Sequence, residues 1–163
     1  MSTAVHRRML KEYLAIQHNA TSRPHLELLE PVQEDDLLHW QAILLGTTES
    51  SYEGGRFRLD IVIPSSYPMQ PPTIRFLTRI CHPNVHFKTG EICLDILKSE
   101  WAPSWTLESV CVAISSLLTN PEPSSPLNCD AANLLRCGDI AGYNSLVKMY
   151  TSLYAMDEDD EEQ

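Results

Sequence analysis

Cys93 lies in the run Thr89-Gly90-Glu91-Ile92-Cys93-Leu94-Asp95-Ile96-Leu97, nine residues after the asparagine of His82-Pro83-Asn84. A thiol just after a glycine turn, with apolar neighbours on both sides, sits on fixed backbone rather than on a waving loop. Its chemistry would be acyl transfer. The thiolate attacks a carbonyl, the acyl group rests on sulfur, and a second nucleophile carries it away. An asparagine amide upstream offers donors to the oxyanion formed at each addition. The competing reading is structural, since a free cysteine is commonly a small buried hydrophobe. Lys88 and Lys98 flank the thiol loosely. His82 resembles a general base on paper, yet a histidine followed by proline in a loop is more often a packing and hydrogen-bonding residue.

Composition narrows the classes that remain. A chain of 163 residues with 43% apolar side chains fits one domain around one core. No apolar run approaches the ~18 residues of a membrane span, and Met1 to Arg8 lacks the apolar centre of a signal peptide. A soluble cytoplasmic protein is expected. Five cysteines, Cys81, Cys93, Cys111, Cys129 and Cys137, form no C-x-x-C pair. A disulfide framework would need even pairing and tighter spacing, and zinc would need a clustered Cys/His set. Reduced thiols, with no metal and no cofactor, are the expectation. The net charge of −10 is concentrated in Asp157 to Glu162, and without those six carboxylates 16 acidic side chains face 12 basic ones. Residues 157–163 read as a disordered acidic tail on a catalytic domain of residues 1–156. No basic stripe with interleaved aromatics suggests nucleic acid.

The elements that must position Cys93 follow from periodicity. Ser2 or Thr3 can cap a helix with Val5, Met9, Leu10, Tyr13 and Leu14 at helical spacing, ending near Asn19. Strand-like runs follow at 26–30, 37–45 and 56–63. The third alternates well, with Phe57, Leu59, Ile61 and Ile63 on one face. Gly54-Gly55 makes a turn, and a short strand over 73–77 comes after a proline-rich segment. Close succession of this kind implies an antiparallel meander. Residues 78–105 lack regular periodicity, and a long irregular stretch inside a compact domain is usually functional. Helices are expected from a Thr106 cap to Asn120, from an Asp130 cap to Gly138, and from an Asp139 cap onward. The last would bury Ile140, Tyr143, Leu146, Val147, Tyr150 and Tyr154. The fold class is α+β, a four-stranded antiparallel meander with an N-terminal helix and C-terminal helices on one face.

From Met9 to Met156 the motifs HWQA (39–42), YEGGRF (52–57), YPMQPP (67–72), HPN (82–84), GEICLDIL (90–97), W-x-P-x-W-T (101–106) and YTSLYAM (150–156) occur in one order. In that order the chain resembles the ubiquitin-conjugating enzymes, and the resemblance implies their fold. It also implies that Cys93 takes the C-terminal carboxyl of ubiquitin from an activating enzyme as a thioester. Asn84 would steady the oxyanion or pin the loop that carries Cys93. Ser125 falls where the family keeps an Asp or Ser to position and desolvate the attacking lysine, and Asp95 is a secondary candidate for that work. The family spacing from asparagine to cysteine is commonly eight, so the loop Val85 to Thr89 should be locally different. A cis bond is implied at Tyr67-Pro68.

Docking of a RING-type ligase is implied at Arg7, Arg8 and Lys11, at Met69, and at Pro103 and Ser104. Many relatives carry phenylalanine in place of Met69 and alanine in place of Ser104, and methionine still fills an apolar groove. Pro64 to Met69, the lengthened loop before Cys93 and Arg136-Cys137-Gly138-Asp139 resemble the peroxisomal members of the family in yeasts. This implies import receptors as substrates and a membrane-anchored tether. The enzyme would then lie on the cytosolic face of the peroxisomal membrane without entering it. The sequence shows no lipidation motif, and anionic lipid would repel the tail. Leu26, Leu28 and Leu29 cannot all point inward from one strand, so this strand is a candidate tether surface. Conjugation of another ubiquitin-like modifier, an inactive ubiquitin-binding relative and a cysteine hydrolase are the alternatives. Retention of Cys93 and Asn84 argues against the second, and absence of papain-like or caspase-like signatures against the third.

Overall fold

Thr3 opens the first helix, its hydroxyl accepting from the His6 amide, and α1 runs from Ala4 to His18. The computed structural model describes residues 3–19 and 23–156, and the acidic tail lies outside them. Helix α1 turns Val5, Met9, Glu12 and Ile16 inward. Leu10 and Leu14, counted with the apolar stripe from sequence, are 49% and 59% exposed. Ile16 rather than Leu14 completes the face, because inward positions recur at steps of three and four from Met9.

Four strands follow in sequence order: β1 (Leu26–Gln33), β2 (Asp36–Leu45), β3 (Arg56–Val62) and β4 (Thr73–Phe76), all antiparallel. On β3, Phe57, Leu59 and Ile61 are fully buried, and Ile63 just beyond it is buried too. β1 runs three residues past its expected end, through Pro31. Proline is tolerated there because β1 is the sheet edge. The register slips between Leu26↔Leu44 and Leu28↔Ile43, so Glu27 is an extra bulged residue. The bulge turns both Leu26 and Leu29 into the core and leaves Leu28 half-buried on the outer face. Leu26 and Leu29 are therefore withdrawn as partner-binding positions.

The inner face of the sheet is covered by α2 (Leu107–Thr119), which buries Leu107, Val110, Cys111, Ile114, Leu117 and Leu118. Thr106 and Ser109 form its reciprocal N-terminal cap. The helix α3 (Cys129–Arg136) is capped by Asn128, whose Oδ1 accepts from the Ala131 amide at 3.2 Å. Asp130, the expected cap, sits in the first turn, where its charge still favours the helix N-terminus. Asp139 caps α4 (Ile140–Tyr154) as expected. Its inward face holds Tyr143, Val147 and Thr151, whereas Ile140 and Tyr154 are 53% and 42% exposed. Among the described residues no helix is long and apolar enough to cross a membrane.

Candidate active site

The thiol is held by a backbone hairpin. The Cys93 amide donates to the Asn84 carbonyl at 2.8 Å, Val85 and Ile92 pair, and the His86 amide donates to Glu91 at 2.9 Å. Gly90 closes the turn at φ +74° and accepts from the Phe76 amide, at the end of β4. A Cβ there would lie 1.9 Å from the Phe76 carbonyl oxygen, so only glycine fits. The extra residue before Cys93 is absorbed at the far end of this hairpin. The His86 ring Nδ1 accepts from the Lys88 and Thr89 amides. Phe87 packs edge-on against Tyr150 of α4 at 5.0 Å, with Arg79 over its ring. Asn84 and Cys93 stay joined directly, so the longer spacing does not separate them.

Cys93 is half-buried and lines a cleft of about 410 Å³ with Asn84, Leu94, Asp95, Lys98, Leu117, Glu122 and Ser125. All four residues singled out for catalysis from sequence thus meet in one place. Asp95 is exposed and begins a short 3₁₀ turn, and Ser125 is exposed on the facing loop. Lys98 lines the cleft, and Lys88 does not.

Asn84 is 1% exposed and its amide is fully engaged. Nδ2 donates to the Glu122 carbonyl at 2.7 Å and the Ser125 carbonyl at 3.1 Å, and Oδ1 accepts from the Glu122 amide at 2.8 Å. The Pro83 carbonyl accepts from the Leu127 and Asn128 amides. The HPN tripeptide therefore fastens the 122–128 loop, and Ser125 with it, beside the thiol. Glu122 went unnoticed in the sequence because its contribution is made through the backbone. The Pro121-Glu122-Pro123 stiffening was the available signal.

His82 is fully buried, its Nε2–H donating to the Leu117 carbonyl at 2.8 Å and its Nδ1 accepting from the Asn84 amide. Both nitrogens are committed away from Cys93, which disfavours a cysteine hydrolase. Burial pushes its pKa down to about 4, against about 6.5 in an unfolded chain. The unfolded state then binds more protons between those values. Stability is complete above about pH 6.5 and falls as pH drops toward 4, by about 2 kcal/mol between pH 7 and pH 5. Thermal melts at the two pH values should show this loss, and His82→Gln should show a smaller pH-dependent difference.

The remaining thiols separate from Cys93 by environment. Cys81 and Cys111 are buried, and burial pushes their pKa values up to about 11 and about 12. Cys129 and Cys137 are exposed. Among the described residues no cluster of three or more His, Cys, Asp or Glu could hold a metal ion.

Away from the cleft, Arg7, Lys11, Pro103 and Ser104 are exposed and Met69 is 74% exposed. Tyr67-Pro68 is cis. The Trp101 indole N–H donates to the Pro68 carbonyl at 2.8 Å, which brings the Met69 turn beside the 101–105 loop. Arg8 differs from Arg7 and Lys11. Its guanidinium turns inward, to Glu12 at 2.8 Å and to the Trp105 carbonyl at 2.8 Å.

Residues 8–151 match the family model described as ubiquitin-conjugating enzyme. Protein PEROXIN-4 of Arabidopsis thaliana is 54% identical over 149 residues, 91% of this chain and 94% of that protein. Ubiquitin-conjugating enzyme E2 pex4 of Dictyostelium discoideum is 54% identical over 147 residues, 90% of this chain and 97% of that protein. Among solved structures, H. polymorpha ubiquitin conjugating enzyme Pex4p in complex with the soluble domain of Pex22p superposes with a TM-score of 0.89 at 40% identity. That match covers 95% of this chain and 100% of the other.

Proposed function

The chain belongs to the ubiquitin-conjugating enzyme family, and from that premise we propose that it carries ubiquitin as a thioester on Cys93 and passes it to peroxisomal import receptors. The observation behind the site is the hairpin lock of Cys93 to Asn84, with Ser125 fastened across the same cleft. In charging, the Cys93 thiolate attacks the carbonyl of ubiquitin held on the activating enzyme, and the activating enzyme's thiolate leaves. In discharge an acceptor nucleophile attacks that carbonyl, loses its proton, and the Cys93 thiolate leaves. A thioester suits both steps because sulfur conjugates weakly with the carbonyl and departs readily. Ser125 and Asp95 stand at the cleft mouth, where they orient and desolvate the incoming amine. Asn84 holds the loop and, once one Nδ2–H leaves its loop carbonyl, donates that N–H to the oxyanion.

The ligase surface consists of Arg7, Lys11, Met69, Pro103 and Ser104, with Arg8 bracing it from beneath. The peroxisomal assignment rests on the two peroxin-4 relatives at 54% identity and on the Pex4p–Pex22p complex. A partner of that kind would hold this enzyme at the cytosolic face of the membrane, and the outer face of β1 around Leu28 is the surface we assign to it. Pull-down from detergent-lysed cells should recover a peroxisomal membrane protein with the wild type and several-fold less with Leu28→Glu. Full recovery by the variant would move the tether elsewhere. Failure of the wild type to recover any would remove the peroxisomal role and leave the thioester chemistry untouched.

A further inference from the structure

Glu12 is a carboxylate in phase with the apolar stripe of α1, and only 5% of it is exposed. A buried charge of this kind costs several kcal/mol unless it is paired and hydrogen-bonded. Its partners come from three parts of the chain. Oε1 accepts from the Tyr67 hydroxyl at 2.6 Å and from Arg8 Nε at 2.8 Å, and Oε2 accepts from the Leu107 amide at 2.8 Å, at the first residue of α2. The Arg8 guanidinium also lies 5.6 Å over the Tyr67 ring and bonds the Trp105 carbonyl. Burial, then the bond to Glu12, raises the Tyr67 pKa far above its ordinary value, which keeps the phenol a donor.

Each partner lies within a few residues of an exposed position of the proposed ligase surface. Arg8 lies between Arg7 and Lys11 on α1. Tyr67 stands two residues before Met69. Trp105 and Leu107 follow Pro103-Ser104. The three segments are far apart in sequence, and the Glu12 carboxylate is the point where their supports meet. We infer that Glu12 is a positioning residue for ligase-dependent transfer, fixing the spacing of the three segments without touching the ligase. The inference rests on the reading that these segments receive a RING-type ligase.

Glu12→Gln keeps the volume but removes the charge, leaving Arg8 with an amide that presents donors of its own. Discharge of the preformed thioester to free lysine tests it, measured alone and across a titration of a purified RING-domain ligase that stimulates the wild type. For Glu12→Gln the ligase-free rate should stay within about twofold of wild type, while the half-stimulating ligase concentration rises about tenfold, or about 1.4 kcal/mol. Tyr67→Phe removes one of the three bonds and leaves the ion pair. It should shift the same midpoint by about threefold, and it serves if Glu12→Gln fails to fold. Met69→Arg is the control on the surface itself. Stimulation that survives Met69→Arg would overturn the docking surface. Loss of stimulation in Met69→Arg with wild-type midpoints in Glu12→Gln and Tyr67→Phe would overturn the role of Glu12 alone. An equal fall in ligase-free and ligase-stimulated rates would also overturn it, since a general loss of structure has that signature.

Discussion

Cys93→Ser is expected to trap ubiquitin on this enzyme as an adduct that survives thiol reductant and yields to hydroxide, where the wild type gives a thiol-sensitive adduct. The exchange of sulfur for oxygen leaves the hairpin intact, because the Cys93 backbone supplies the bond to Asn84. What changes is the leaving group. An alkoxide departs from an ester far less readily than a thiolate, so discharge should slow by a factor on the order of 10² or more, about 2.7 kcal/mol in barrier. Incubation with activating enzyme, ATP and a panel of modifiers, resolved on non-reducing gels, reads both the residue and the modifier. A thiol-sensitive adduct persisting in Cys93→Ser would move the site to another cysteine. Cys81 and Cys111 are poor alternatives, since burial holds each as an uncharged thiol.

Asn84→Ala should slow lysine discharge by about 10²-fold or more while charging falls much less. The amine is the harder nucleophile to accommodate, and the substitution frees the loop that carries Ser125. Three hydrogen bonds vanish together, leaving the Glu122 amide and the Glu122 and Ser125 carbonyls without the side chain that pairs them. At about 1 kcal/mol each, the loss should lower the melting temperature by roughly 5–10 °C in a chain of this size. Single-turnover charging and discharge, read beside the melt, separate two roles. A discharge defect well beyond the charging defect supports an oxyanion contribution. Equal defects in both steps with the same fall in melting temperature would reduce Asn84 to a fastener.

The readable parts of this molecule were those governed by local pattern. The alternation of Phe57, Leu59 and Ile61 placed β3 correctly, and the Thr106 and Asp139 caps marked the starts of α2 and α4. The misreadings have nonlocal causes. A bulge at Glu27 reverses the alternation of β1, and nothing in the run Leu26-Glu27-Leu28-Leu29 announces it. Asn128 displaces Asp130 as a cap because the chain enters α3 after its Pro83 contacts, two residues earlier than polarity alone suggested. Tyr154 has the spacing of a core residue, yet it packs edge-on to Phe87 and stacks on Tyr150 at the surface. At the site, the motif located Asn84 but left its two roles open. Only the placement of Glu122 and Ser125 showed that its amide was already occupied.

The three tryptophans divide along the same lines as the enzyme's surfaces. Trp40 is fully buried, its indole N–H bonded to the Leu37 carbonyl. Trp101 and Trp105 are half-buried at either end of the exposed Pro103-Ser104 tip, and neither lines the Cys93 cleft. Intrinsic fluorescence from the unlabelled protein is therefore a constant signal from Trp40 plus a signal sensitive to water at that tip. A ligase seated on the tip, as proposed, would change the local polarity around two emitters, while the Trp101 amide also bonds the carbonyl of Lys98 at the edge of the thiol cleft. On that proposal the unlabelled enzyme would carry its own optical reporter for ligase docking, with Trp40 as the constant background.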